Sequence, residues 1–68
     1  MRGWEITERV AVLSDSGTGY TVELNMVSFF GNKPKLDLRK WHEGMPLKGI
    51  ALTEQEVEAL REALQKGA

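Results

Sequence analysis

Apolar and polar residues alternate over three stretches of the chain, and the pattern then changes to helical spacing. From Trp4 to Leu13, Trp4, Ile6, Val10 and Val12 share one parity with Glu8 as the interruption, which predicts a β-strand with a bend near Glu8. The run Ser14-Asp15-Ser16-Gly17-Thr18-Gly19 has the small polar residues and glycines that a reversal needs. In the second strand Tyr20, Val22, Leu24 and Met26 alternate with Thr21, Glu23 and Asn25, so one face seeks a core and the other looks at water. Val27, Phe29 and Phe30 then put apolar groups on both faces before a turn at Gly31-Asn32-Lys33-Pro34.

The third strand, Lys35 to Trp41, carries Leu36 and Leu38 on one face and Lys35, Asp37, Arg39 and Trp41 on the other. This second row is expected to face solvent. A connection through His42, Glu43, Gly44, Met45 and Pro46 leads to a short fourth strand, Leu47 to Leu52, in which Gly49 signals a bulge. Thr53 and Glu56 form a capping box, Leu52 and Val57 a hydrophobic staple, and Val57, Leu60 and Leu64 recur at helical spacing. Glu58 with Arg61, and Glu62 with Lys66, can pair on the wet side, and Gly67 ends the helix. The reading is a single α+β domain over residues 1–68: a four-stranded antiparallel sheet followed by one C-terminal α-helix.

Length sharpens this picture. A core built from 68 residues stabilises a fold by only roughly 3–5 kcal/mol unless a disulfide, a metal or a partner subunit helps. There is no Cys and only one His, which excludes disulfides and thiolate zinc sites and leaves no His-rich metal site. Oligomerisation is the remaining route. No apolar run approaches the roughly 20 residues of a bilayer span, and the first residues lack the regions of a signal peptide, so the expectation is a cytoplasmic, nucleoid-associated protein without a membrane partner.

The net charge of -1 hides a split. Gly31 to Ile50 holds five basic residues (Lys33, Lys35, Arg39, Lys40, Lys48) against Asp37 and Glu43, a balance of +3. Thr53 to Ala68 holds four Glu against Arg61 and Lys66, a balance of -2. Local field matters more than the average, because charges are screened over about 8 Å at physiological salt.

Enzyme chemistry finds little support. His42-Glu43 has neither the second His nor the helix of a metalloprotease motif, and no helix follows Ser16-Gly17-Thr18-Gly19 as a phosphate-cradling loop would require. Asp15 and Asp37 lack partners of suitable spacing for general acid–base work and read as surface or turn residues. No catalytic residue, cofactor, metal or small-molecule substrate is expected. What is present is a row of cations and an indole on a sheet. That combination suits unpaired nucleic acid, in which bases stack on aromatic rings for about 1–3 kcal/mol each while Lys and Arg follow the phosphates.

The order Leu36-Asp37-Leu38-Arg39-Lys40-Trp41, a short Gly/Pro connection, and Lys48-Gly49-Ile50-Ala51-Leu52-Thr53 before an acidic amphipathic helix resembles the C-terminal domain of the transcriptional positive cofactor four family. Its short bacterial members are closest, and for them Trp4-Glu5-Ile6, Val12-Leu13-Ser14, Glu23-Leu24-Asn25 and Val27-Ser28 also fit. The resemblance implies a homodimer that binds single-stranded DNA with little sequence preference in transcription, replication or repair. It assigns Arg39, Lys48, Lys35 and Lys33 to phosphates and Trp41 to stacking on a base. It also implies an aromatic before the hairpin, for which Phe29 and Phe30 compete; spacing to Arg39 favours Phe29 in the bacterial pattern and Phe30 in the eukaryotic one, and Phe29 ranks first. The helix stripe Val57, Leu60 and Leu64 is implied at the dimer contact.

Two positions depart from the eukaryotic pattern, His42 for an aromatic and Thr21 for a basic residue, which implies weaker phosphate contact. Tyr20 is at an aromatic position of the bacterial pattern, but its parity with Val22 and Leu24 equally suits a core, where Trp4 is also expected. RNA binding by the same face and docking of a different protein chain on the helix stripe stay open as alternatives.

Overall fold

The computed structural model describes residues 3–67 and forms one sheet and one helix. Strands β1 (Trp4–Asp15), β2 (Tyr20–Phe29), β3 (Lys35–His42) and β4 (Met45–Leu52) follow each other as antiparallel neighbours in the order β1-β2-β3-β4. Helix α1 (Glu54–Gly67) ends the chain. The α+β architecture read from the sequence is the one observed. No described helix is long and apolar enough to cross a membrane.

Local chemistry accounts for each connection. In the β1–β2 reversal Asp15 Oδ1 accepts from the Gly17 amide at 2.9 Å, Ser16 Oγ accepts from the Thr18 and Tyr20 amides, and Gly17 and Gly19 take positive φ. The β3–β4 connection is tighter than the five-residue link expected: Glu43 and Gly44 alone form it, at φ 48° and 82°, the two left-handed positions of a type I′ hairpin. Strands β3 and β4 consequently extend to His42 and Met45. At the start of α1 the Thr53 amide donates to Glu56 Oε1 at 2.8 Å and the Glu56 amide to Thr53 Oγ1 at 3.2 Å, so the capping box forms as read.

The sheet is strongly coiled. Trp4 pairs with Phe29, and Thr21 with Trp41, so the two indoles would lie roughly 26 Å apart along a straight β2 at ~3.3 Å per residue. Their ring centroids are 5.2 Å apart, edge to face at 69°. Likewise Arg39 pairs with Glu23, six positions from Phe29, yet its guanidinium lies 5.3 Å from the Phe29 ring centre. Three register shifts in β1, at Ile6/Glu8, Arg9/Ala11 and Val12/Ser14, and one at Arg39/Trp41 against β4 supply the bends that let the face close on itself.

That closure decides where the core sits. Among the described residues four are buried, Asn25, Val27, Asp37 and Trp41, and register places all four on the concave face. The row of β3 expected to look at solvent is therefore the inner face, with Asp37 at 0% and Trp41 at 3% exposure. The alternation itself was right, and Lys35 is exposed as expected, but Asp37 and Trp41 on the same row are enclosed while Leu36 and Leu38 opposite are half-buried. The convex face carries Leu24, Met26, Leu36 and Leu38, all half-buried, and α1 lies beside it without burying any of its own residues.

Candidate nucleic-acid interface

The concave face combines apolar and charged groups in an unusual proportion for so small a chain: half of its buried residues are polar. A buried polar side chain must have partners, and these do. Asp37 receives Arg39 as a two-toothed pair, Nε to Oδ2 at 2.7 Å and Nη2 to Oδ1 at 2.6 Å. Arg39 Nη1 also donates to the Leu47 carbonyl at 3.2 Å, and the Phe29 ring packs against its guanidinium. Next to this pair Glu23 accepts from Thr21 Oγ1 at 2.6 Å, Asn25 Nδ2 at 3.1 Å and Arg9 Nη1 at 3.3 Å. A cleft of about 770 Å³ opens over this face, lined by Trp4, Ile6, Arg9, Glu23 and Trp41 among others.

The residues assigned to nucleic acid fall into two groups. Lys33, Lys35 and Lys48 are exposed. Lys33 touches Glu54 at 3.2 Å, but with both side chains more than four-fifths exposed this pair is screened and holds neither in place. Arg39 is mostly enclosed, with 16% of its side chain exposed, yet one N–H on each terminal nitrogen stays unengaged once Asp37 and Leu47 are satisfied.

Two aromatic assignments need correction. Trp41 is buried against Trp4 and lies opposite Pro46, so its ring faces are not free to stack on a base. Its Nε1 has no hydrogen-bond partner among the described residues. Phe29, ranked first as the stacking residue, is half-buried and holds Arg39 instead. The competing Phe30 is the exposed ring, at 82%, at the start of the β2–β3 turn that also carries Lys33, with one edge against Gly3. It does so at φ 54°, a left-handed conformation that a non-glycine residue adopts at a cost of about 1–2 kcal/mol. The ring meets Gly3 on one side and leaves the rest of its surface to solvent, so an aromatic face held at a conformational cost is open to a ligand.

Asp37 was missed because nothing local shows that a strand face will be enclosed; its one signal is its position two residues before Arg39, on the same face. Glu23 was missed for the same reason, and Arg9 for another, the register shift between Ile6 and Glu8 that moves it onto the face of Trp4 and Ile6. Tyr20, in contrast, is 43% exposed and stacks on His42 at 4.1 Å, which supports neither a core role nor a free ring.

Fold and site together define a small antiparallel sheet with one terminal helix and a polar, arginine-bearing concave face. A protein of Treponema pallidum (strain Nichols), described as uncharacterized, is 38% identical over 63 residues, spanning 90% of this chain and 74% of that protein. The chain belongs to the family of that protein. No protein-family model matches the sequence.

Proposed function

We propose that this protein binds single-stranded nucleic acid, DNA first, without catalysis and with little sequence preference, as a homodimer in transcription, replication or repair. The observation that carries the reading is Phe30, exposed and strained just past the end of β2, where the chain leads through the connection carrying Lys33 into Lys35 at the start of β3. Bases stack on this ring, the lysines follow the phosphates, and Lys48 and the free N–H groups of Arg39 extend the path. The resemblance to the positive cofactor four family implies the same ligand, and a cytoplasmic, nucleoid-associated location goes with it.

A second copy of the chain is proposed on the convex side. The exposed area is 5255 Å², whereas a folded monomer of 7.6 kDa exposes about 4300 Å². The surplus of roughly 1000 Å² resembles the ~800 Å² that each partner buries in a standard interface. An apolar groove of about 820 Å³ runs between sheet and helix, lined by Val10, Leu24, Met26, Leu36, Leu52 and Val57. Of the assigned helix stripe, Val57 and Leu60 are half-buried and Leu64 is 58% exposed, as an interface awaiting its other half would leave them.

Fluorescence anisotropy with a labelled oligo-dT of about 20 nucleotides, at two salt concentrations and against the matching duplex, tests the ligand. Salt-weakened binding that prefers the single strand is expected, with Phe30→Ala costing about 1–3 kcal/mol. Absence of binding at low salt, or an unchanged affinity for the variant, sinks the reading. Competition with matched RNA separates DNA from RNA. Light scattering should give twice 7.6 kDa, and a monomer at micromolar concentration refutes the dimer.

A further inference from the structure

We infer that Asp37 is a positioning residue for nucleic acid: it holds the Arg39 guanidinium in the one orientation that presents its two remaining N–H groups to a phosphodiester. The inference rests on the nucleic-acid reading above and names how that site grips the backbone.

Asp37 has no exposed surface, and both its oxygens are occupied by Arg39 at 2.6 and 2.7 Å. Burying a carboxylate is costly, and an apolar pair of similar volume would serve a small core as well or better. The pair is thus weak evidence of a stability device. What it does achieve is geometric. The fork fixes the guanidinium plane through Nε and Nη2, the Leu47 carbonyl takes Nη1, and Phe29 packs against it. Of five N–H donors three are used, and those left, one on each terminal nitrogen, match the oxygens of a phosphate. An arginine already immobilised loses little rotamer entropy on binding.

Charge and geometry predict opposite signs for Asp37→Asn. If Asp37 acted only through its charge, its neutralisation would strengthen binding of a polyanion. If it positions Arg39, binding of the oligo-dT weakens about tenfold, and the slope of log K against log salt falls by about 0.7, one phosphate contact. Glu5→Gln is the matched control, the same charge change at an exposed carboxylate of β1, and leaves affinity within twofold. Affinity that stays equal or rises in Asp37→Asn overturns the inference.

A second variant and a measurement on the unaltered protein guard against a variant that does not fold. Arg39→Lys keeps the charge and loses the fork, so it should weaken binding by a similar factor, with no further loss in the double variant. In the wild type the Nε–H of Arg39 should give a slowly exchanging resonance that shifts when oligo-dT is added; a signal that stays put also overturns the inference. Wild-type protein that binds no oligonucleotide refutes the nucleic-acid reading and this inference together, whereas normal binding with an indifferent Asp37 refutes this inference alone.

Discussion

Gly49 lies against the β3 backbone at Arg39 with no room for a side chain, and Gly49→Ala should be among the most damaging single changes in the chain. A Cβ built there would lie 1.8 Å from Arg39 Cβ and 2.6 Å from both Arg39 Cα and the Leu38 carbonyl oxygen. None of these is the far end of a flexible side chain, so β4 must move away. Overpacking of this kind costs about 1–3 kcal/mol, and each ladder hydrogen bond lost with it about 0.5–1.5 kcal/mol. The pairs at risk are Arg39 with Gly49 and Leu38 with Ile50, together with the Leu47 carbonyl that Arg39 uses. A total near 3 kcal/mol follows. With an unfolding entropy of about 2.1 cal/mol/K per residue over 68 residues, the midpoint should fall by roughly 20 °C. Thermal unfolding followed by tryptophan fluorescence, at one fixed protein concentration, measures this, because Trp4 and Trp41 report on the closed concave face. A midpoint within about 5 °C of the wild type would refute the close approach of Gly49 to Arg39.

Other consequences separate stability from binding. Trp41→Phe keeps a ring in the core and removes an Nε1 that is buried without a partner, so its cost should stay below about 2 kcal/mol, against about 3–5 for Trp41→Ala; urea denaturation of both variants checks the difference. Phe30→Gly relieves the left-handed strain and should leave stability unchanged or raise it by up to about 1 kcal/mol, while oligonucleotide affinity falls; a large drop in the melting midpoint would show that the ring is structural. Thr53→Ala removes the helix cap and should cost about 1 kcal/mol, a shift of roughly 7 °C, with affinity for nucleic acid unaltered.

Local pattern alone determined the order of four strands and a helix, the bend of β1 near Glu8, an irregularity of β4 next to Gly49 and the capping box of Thr53 and Glu56. Each depends on residues a few positions apart, whose conformational preferences act before any tertiary contact forms. The same locality explains the basic middle of the chain and the acidic helix.

Tertiary structure decided what covers each face. Alternation along β3 separates Leu36 and Leu38 from Asp37, Arg39 and Trp41, but it does not say which set meets water. The coiling of the sheet settled that, by bringing Trp4 to Trp41 and Phe29 to Arg39 across positions far apart in register. The first of the three bulges in β1, between Ile6 and Glu8, also moved Arg9 onto the face of Trp4 and Ile6, because an extra residue reverses the side on which the next one emerges. Phe30 and Asp37 thereby exchanged expected roles with Trp41 and Phe29: the exposed ring is in the turn, and the charge meant for water is the most deeply buried carboxylate of the sheet. Periodicity fixes direction along one strand, whereas curvature arises from all four strands together, and burial follows curvature.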